Sequence, residues 1–150
     1  MTVVEYLEQI EKIDDSIKSL EEHLKELRDE YVGIQAIRYD REKVDSTPGN
    51  TFEKKMIKYL TVTEELQAEI LDKKADLWKI RNEIEQQIEG LPKRLHIEVL
   101  RQHYVYHYNF RIVASRLNYS YDRIIHVHRD AIDIFAHIYN MPSGLKDSIQ

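Results

Sequence analysis

From Val3 onward, apolar residues fall at Val3, Tyr6, Ile10, Ile13, Ile17, Leu20, Leu24, Leu27, Tyr31 and Ile34, in alternating steps of three and four. Steps averaging about 3.5 keep every member on one narrow helical seam, with charged residues filling the positions between. The pattern predicts a helix over 2–38. It ends in Arg38-Tyr39-Asp40-Arg41-Glu42-Lys43-Val44-Asp45-Ser46-Thr47-Pro48-Gly49-Asn50, where turn residues cluster and a loop over 39–51 is expected. A second seam follows Thr51, a candidate N-cap, at Met56, Tyr59, Thr63, Leu66, Ile70, Lys73, Leu77, Ile80 and Ile84, predicting a helix over 52–89. Phe52, Ile57, Leu60, Leu71, Trp78 and Ile88 broaden its apolar face. Two helices of about 36 residues, each roughly 54 Å long at the rise of an α-helix, fit an antiparallel hairpin whose seams cover each other. The alternative is a parallel intermolecular coiled coil, suited by Val3, Ile10 and Ile17 at one heptad position and Leu20 and Leu27 at the other.

Gly90-Leu91-Pro92 stops the second helix, so a domain boundary is expected there: a hairpin over 1–91, a small domain over 92–142 and a flexible tail over 143–150. The small domain reads as three helical stretches, Lys93 to about Tyr108, Phe110 to Leu117 and Asp122 to Tyr139. Asn118-Tyr119-Ser120 separates the last two, with small Ala114 allowing a close crossing and Ser120 able to cap the final helix. That is the sequence form of a helix-turn-helix. At about 100° per residue, Val127, His128, Ala131, Phe135 and Ile138 lie on the side of Ile124, while Asp122, His126, Arg129, Asp133 and His137 lie opposite. The expected fold class is all-α: a long, coiled-coil-like antiparallel hairpin followed by a small helix-turn-helix domain.

Composition agrees with long helices, because four Gly and three Pro in 150 residues leave few turns for a many-stranded sheet. No Cys is present, which removes disulfides, thiolate metal ligands and a cysteine nucleophile. The formal charge of −5 conceals an asymmetry. Residues 1–92 carry 14 basic and 22 acidic side chains, whereas residues 93–150 carry 8 and 5, with six of the seven His. A basic module thus follows an acidic one. The start, MTVVEYLEQIEKIDD, lacks the basic and apolar segments of a signal peptide, and no run approaches the ~18 apolar residues of a membrane span. A cytoplasmic protein without membrane contact is expected.

The run Val113-Ala114-Ser115-Arg116-Leu117-Asn118-Tyr119-Ser120-Tyr121-Asp122-Arg123-Ile124, followed by Ala131-Ile132 and Phe135, resembles the helix-turn-helix of primary sigma factor region 4. Over the whole chain, the loop Tyr39 to Pro48 and the segment Leu117-Asn118-Tyr119-Ser120 with His128 and Ala131 resemble phage-encoded transcriptional regulators of the ArpU/RinA kind. The resemblance implies double-stranded DNA as ligand, control of late gene expression, and host RNA polymerase or another phage protein as partner. It implies neither catalytic residues nor cofactor. Region 4 places base contacts at positions matching Tyr121, Asp122, Ile125 and His126; Ile125 stands where Arg is usual and suits a thymine methyl.

Helix-turn-helix geometry independently directs Tyr121, Asp122, Arg123 and His126 at base edges. Lys93, Arg94, Arg111, Arg116, Ser120 and Arg129 are the candidate phosphate contacts. His103 and His107 are four apart, with His96 a further turn back, but no Glu follows His103 and no metal site is expected. Phosphate-loop and nucleophile-elbow motifs are absent from the sequence, and an enzyme is not expected. Two other functions fit the pattern: a small-terminase-like DNA-packaging subunit, and a coiled-coil interaction adaptor that does not bind DNA. A homodimer or higher oligomer is compatible with each.

Overall fold

A computed structural model describes residues 1–41 and 50–145. Among them every regular element is helical: α1 (Val3–Arg41), α2 (Asn50–Glu89), α3 (Arg94–Leu100), α4 (Phe110–Leu117) and α5 (Tyr121–Ile138), with a π-helical turn over Arg101–Val105 continuing α3. No described helix is long and apolar enough to cross a membrane. α1 and α2 reach further into the expected 39–51 loop than the turn residues suggested; residues 42–49 lie outside the described residues. Thr51, expected as a cap, is inside the first turn of α2.

Contacts divide the chain into two units, residues 1–14 with 76–150, and residues 15–75. The larger apolar cluster of the first unit is drawn from four helices. Val3, Leu7 and Ile10 of α1, Ile84 and Ile88 of α2, Ile97 and Leu100 of α3, and Ala131, Ile132 and Phe135 of α5 are all buried together. This packing runs across Pro92, so the expected boundary at that residue does not divide the core. The shift in charge at Pro92 marks a change of surface, whereas domain limits follow buried contacts. Phe135 is fully buried, with its ring centroid 6.3 Å from that of Tyr6 and 4.6 Å from that of Tyr139. The Tyr6 hydroxyl donates to Gln87 Oε1 at 2.5 Å, and the Tyr139 hydroxyl donates to the Gln87 carbonyl at 2.8 Å.

Polar groups at the start of α1 are satisfied twice over. Thr2 and Glu5 form a reciprocal capping box, Thr2 N donating to Glu5 Oε2 at 2.9 Å and Glu5 N to Thr2 Oγ1 at 3.2 Å. Val3 N donates to the Pro142 carbonyl at 2.8 Å, which supplies a partner for one of the orphan donors of the helix N-terminus. Gly144 sits beside Thr2 at φ 76°, where an added Cβ would lie 2.4 Å from Thr2 Oγ1. Ser143–Leu145 therefore pack back on the first unit, contrary to the flexible tail expected from 143, and Leu145 joins the edge of the core. Residues 146–150 lie outside the described residues.

In the second unit, Ile17 and Leu24 of α1 and Leu66 and Ile70 of α2 are buried, as the seams require. The rings of Tyr31 and Tyr59 stack at 4.2 Å, and Lys74 Nζ lies 3.0 Å from Glu21 Oε1. That exposed ion pair contributes little to stability. Four of the residues expected to broaden the α2 face are exposed instead: Ile57, Leu60, Leu71 and Trp78. They lie away from the Leu66–Ile70 side of α2, Ile57 and Leu71 furthest from it and Leu60 and Trp78 on its flank, so a partner covering only the narrow seam leaves them uncovered.

Phe135→Ala should cost about 3–5 kcal/mol, the usual range for emptying a fully buried aromatic site. Denaturant unfolding with amide exchange should register the loss in the first three turns of α1 as well as in α5. A loss confined to residues 92–142 would contradict the shared core.

Candidate functional site

α4 and α5 are joined by three residues whose backbone is set by local polar groups. Asn109 caps α4, its side chain accepting from Ile112 N at 3.0 Å. Asn118 ends α4 at φ 61°, a left-handed conformation that Asn tolerates better than most residues. Tyr119 N donates back to the Ala114 carbonyl at 3.0 Å. Ser120 then caps α5, its Oγ accepting from Arg123 N at 3.1 Å. The cap fixes where α5 begins.

A second apolar cluster, Val99, Val113, Ala114, Ile124 and Val127, seats this pair of helices on α3. Ala114 is buried, consistent with the close approach its small side chain permits. With Ile124, Val127, His128, Ala131 and Phe135 turned inward, Tyr121, Asp122, Arg123 and His126 are exposed and Ile125 is half-buried. His126 Nδ1 lies 2.8 Å from the Asp122 carbonyl and must donate to it, which leaves Nε2 for an external partner. Asp122 occupies the first turn of α5, where a carboxylate is favoured by the helix dipole.

Of the expected phosphate residues, Lys93 at the N-cap of α3, Arg94, Arg111, Arg116 and Ser120 are exposed. Arg94 pairs with Glu98 at 3.0 Å, Arg129 is half-buried with a partner inside the chain, and Ser120 Oγ is engaged as the cap. Arg116 lies 4.7 Å over the Tyr108 ring and donates from Nε to Gln102 Oε1 at 3.2 Å. Arg111 lies 4.9 Å over the Tyr121 ring. These aromatic platforms were not anticipated, because Tyr108 and Tyr121 are eight and ten residues from their arginines and no helical periodicity links such pairs.

Behind α5, the expected continuous helix to Tyr108 is replaced by the π-helical turn, with Tyr106 N donating to the Arg101 carbonyl at 3.1 Å. His107 follows at φ 62°, so His103 and His107 do not share one helical face. His103 stacks on Phe110 at 3.9 Å, and its Nδ1 donates to the Tyr108 carbonyl at 2.8 Å. Among the described residues, no group of three His, Cys, Asp or Glu could hold a metal ion.

Tyr104 and His128 brace α5 against the π-turn through a buried 2.7 Å hydrogen bond between the Tyr104 hydroxyl and His128 Nε2. Burial pushes the Tyr104 phenol well above its ordinary range. Burial also pushes His128 down to about 4, reinforced by nearby His103 and Arg129. His103 and His96 are lowered by burial in the same direction. The unfolded chain therefore takes up these protons first, and stability present above pH ~6.5 is lost as pH falls toward 4.

For His128 alone the loss should be about 2 kcal/mol between pH 7.5 and 5. Denaturation at the two pH values measures it, and His128→Phe should shrink the difference. An equal pH dependence in the variant would remove His128 as its source.

Comparison of the chain with protein-family models, with curated proteins and with solved structures finds no match in any of the three.

Proposed function

We propose that the chain is a sequence-specific DNA-binding transcription regulator of a phage or mobile element, of the ArpU/RinA-like kind, acting in the bacterial cytoplasm on late gene expression. In this reading α4, Asn118-Tyr119-Ser120 and α5 form a helix-turn-helix with α5 as the recognition helix. One observation carries it: Ser120 caps α5, and Tyr121, Asp122, Arg123 and His126 stand exposed on its first two turns, while Ile124 and Val127 fix the buried side of the helix to α4 and α3. Asp122 can accept from a cytosine amino group and Arg123 can make a bidentate contact to guanine. The acidic helices α1 and α2 form an antiparallel hairpin that contacts host RNA polymerase, another phage protein or a second copy. Its antiparallel sense is supported by Tyr6 meeting Gln87, Glu21 meeting Lys74 and Tyr31 meeting Tyr59.

A second reading, a small-terminase-like packaging subunit or a coiled-coil adaptor, is favoured by the exposed Ile57, Leu60, Leu71 and Trp78 of α2, which offer an assembly surface.

Selection of bound genomic fragments by the full chain should yield a shared motif. If about four phosphates are neutralised, log K should fall with log salt with a slope near −3.6. Asp122→Ala and His126→Ala should reorder related sites by about 1–3 kcal/mol, whereas Arg129→Ala should weaken all sequences nearly equally. Binding without a motif by ring-shaped oligomers would favour packaging, and absence of salt-dependent binding would favour the adaptor.

A further inference from the structure

The Arg111 guanidinium carbon lies 4.9 Å above the centroid of the Tyr121 ring. The two residues come from different helices: Arg111 is the second residue of α4 and Tyr121 the first of α5. Tyr121 is 42% exposed, so one part of the ring is covered while the rest faces outward. An exposed tyrosine at the first position of a helix has no neighbour from a preceding turn of its own helix to fix its rotamer. A planar cation over one face supplies that neighbour. Arg116 shows the same chemistry put to internal use, its guanidinium over the Tyr108 ring and its Nε donating to Gln102. Among the described residues, no side-chain hydrogen bond of this kind is seen at the Tyr121 ring.

The geometry points to Arg111 as a positioning residue for base selection: it holds the Tyr121 ring at the head of α5 so that its free face and hydroxyl meet one base step. This deepens the reading of α5 as a recognition helix and rests on it. Arg111 then acts chiefly on specificity, where a phosphate contact would act on affinity for every sequence alike. Arg and Lys separate the two roles, because both carry the charge a phosphate needs and only Arg has the planar group that stacks on a ring.

The test has an arm without DNA and an arm with it. In the free full-length protein, ring current should shift the Arg111 side-chain resonances upfield, and Tyr121→Leu should abolish the shift. An unshifted Arg111 in the wild-type protein overturns the proposal whatever DNA does. With selected and scrambled duplexes as probes, Arg111→Lys should lower the ratio of specific to nonspecific affinity about two- to fivefold, the range an exposed cation–π contact supports, with an unchanged salt slope. The changed preference should fall on the base step altered by Tyr121→Leu. Adding Arg111→Lys to Tyr121→Leu should produce no further change in site ranking. Rescue of both affinity and ranking by Lys, with Arg111→Ala reducing the salt slope by about 0.9, would make Arg111 an ordinary phosphate contact. If the wild-type chain binds neither duplex while the ring-current shift is present, the recognition-helix reading fails and the proposal with it. If it binds and ranks sites but Arg111→Lys leaves the ranking intact, the proposal alone fails.

Discussion

Burial of Phe135 beside the first turns of α1 and the last turns of α2 is the constraint from which the architecture of the first unit follows. A fully buried aromatic ring requires surfaces from several directions, and here α1, α2, α3 and α5 all contribute. The hydrophobic area removed from water by these side chains is the main favourable term available to such a small core. Its directional consequence is as important as its size. Once Phe135 and Ala131 are seated, Ile124 and Val127 face α3 and α4, and Asp122 and His126, opposite Ile124 on the helix, face solvent.

Two kinds of polar interaction turn that coarse orientation into a defined site. Caps at Asn109 and Ser120 fix the starts of α4 and α5, and left-handed Asn118 turns the chain between them. The Tyr104–His128 hydrogen bond satisfies two polar groups beneath α5 that would otherwise be costly in an apolar setting. The π-helical turn brings Tyr104 and Val105 into the core together, and His107 at φ 62° closes it. The site is thus packed where it meets the core and open where it meets solvent.

The parts legible in the sequence were those set by local periodicity. Ile10, Ile17, Leu24, Leu66, Ile70 and Ile84 recur at threes and fours because one helical side must be covered, and they are buried. On α5 the same arithmetic gave Val127, His128, Ala131 and Phe135, which are buried, but Ile138 near the helix end is exposed and Ile132, outside that set, is fully buried. Leu7 escaped notice because it lies beside the narrow seam and is buried in a core to which α3 and α5, far away in sequence, contribute. Ile57, Leu60, Leu71 and Trp78 misled for the converse reason: apolar character does not say which side a partner covers. The division at Pro92 failed because charge describes the surface and Phe135 ties the core together across it. Neither the π-turn nor the Arg111–Tyr121 and Arg116–Tyr108 cation–π contacts have a local signature, since each depends on tertiary neighbours.

The central claim is that the first turn of α5 is the surface that meets DNA. Backbone amide shift mapping of the full chain, titrated with a selected duplex, tests it most directly. The account predicts the largest changes at residues 119–126, with Arg111 following and Leu66 and Ile70 unmoved. Changes concentrated on α2, with residues 119–126 silent, would contradict it.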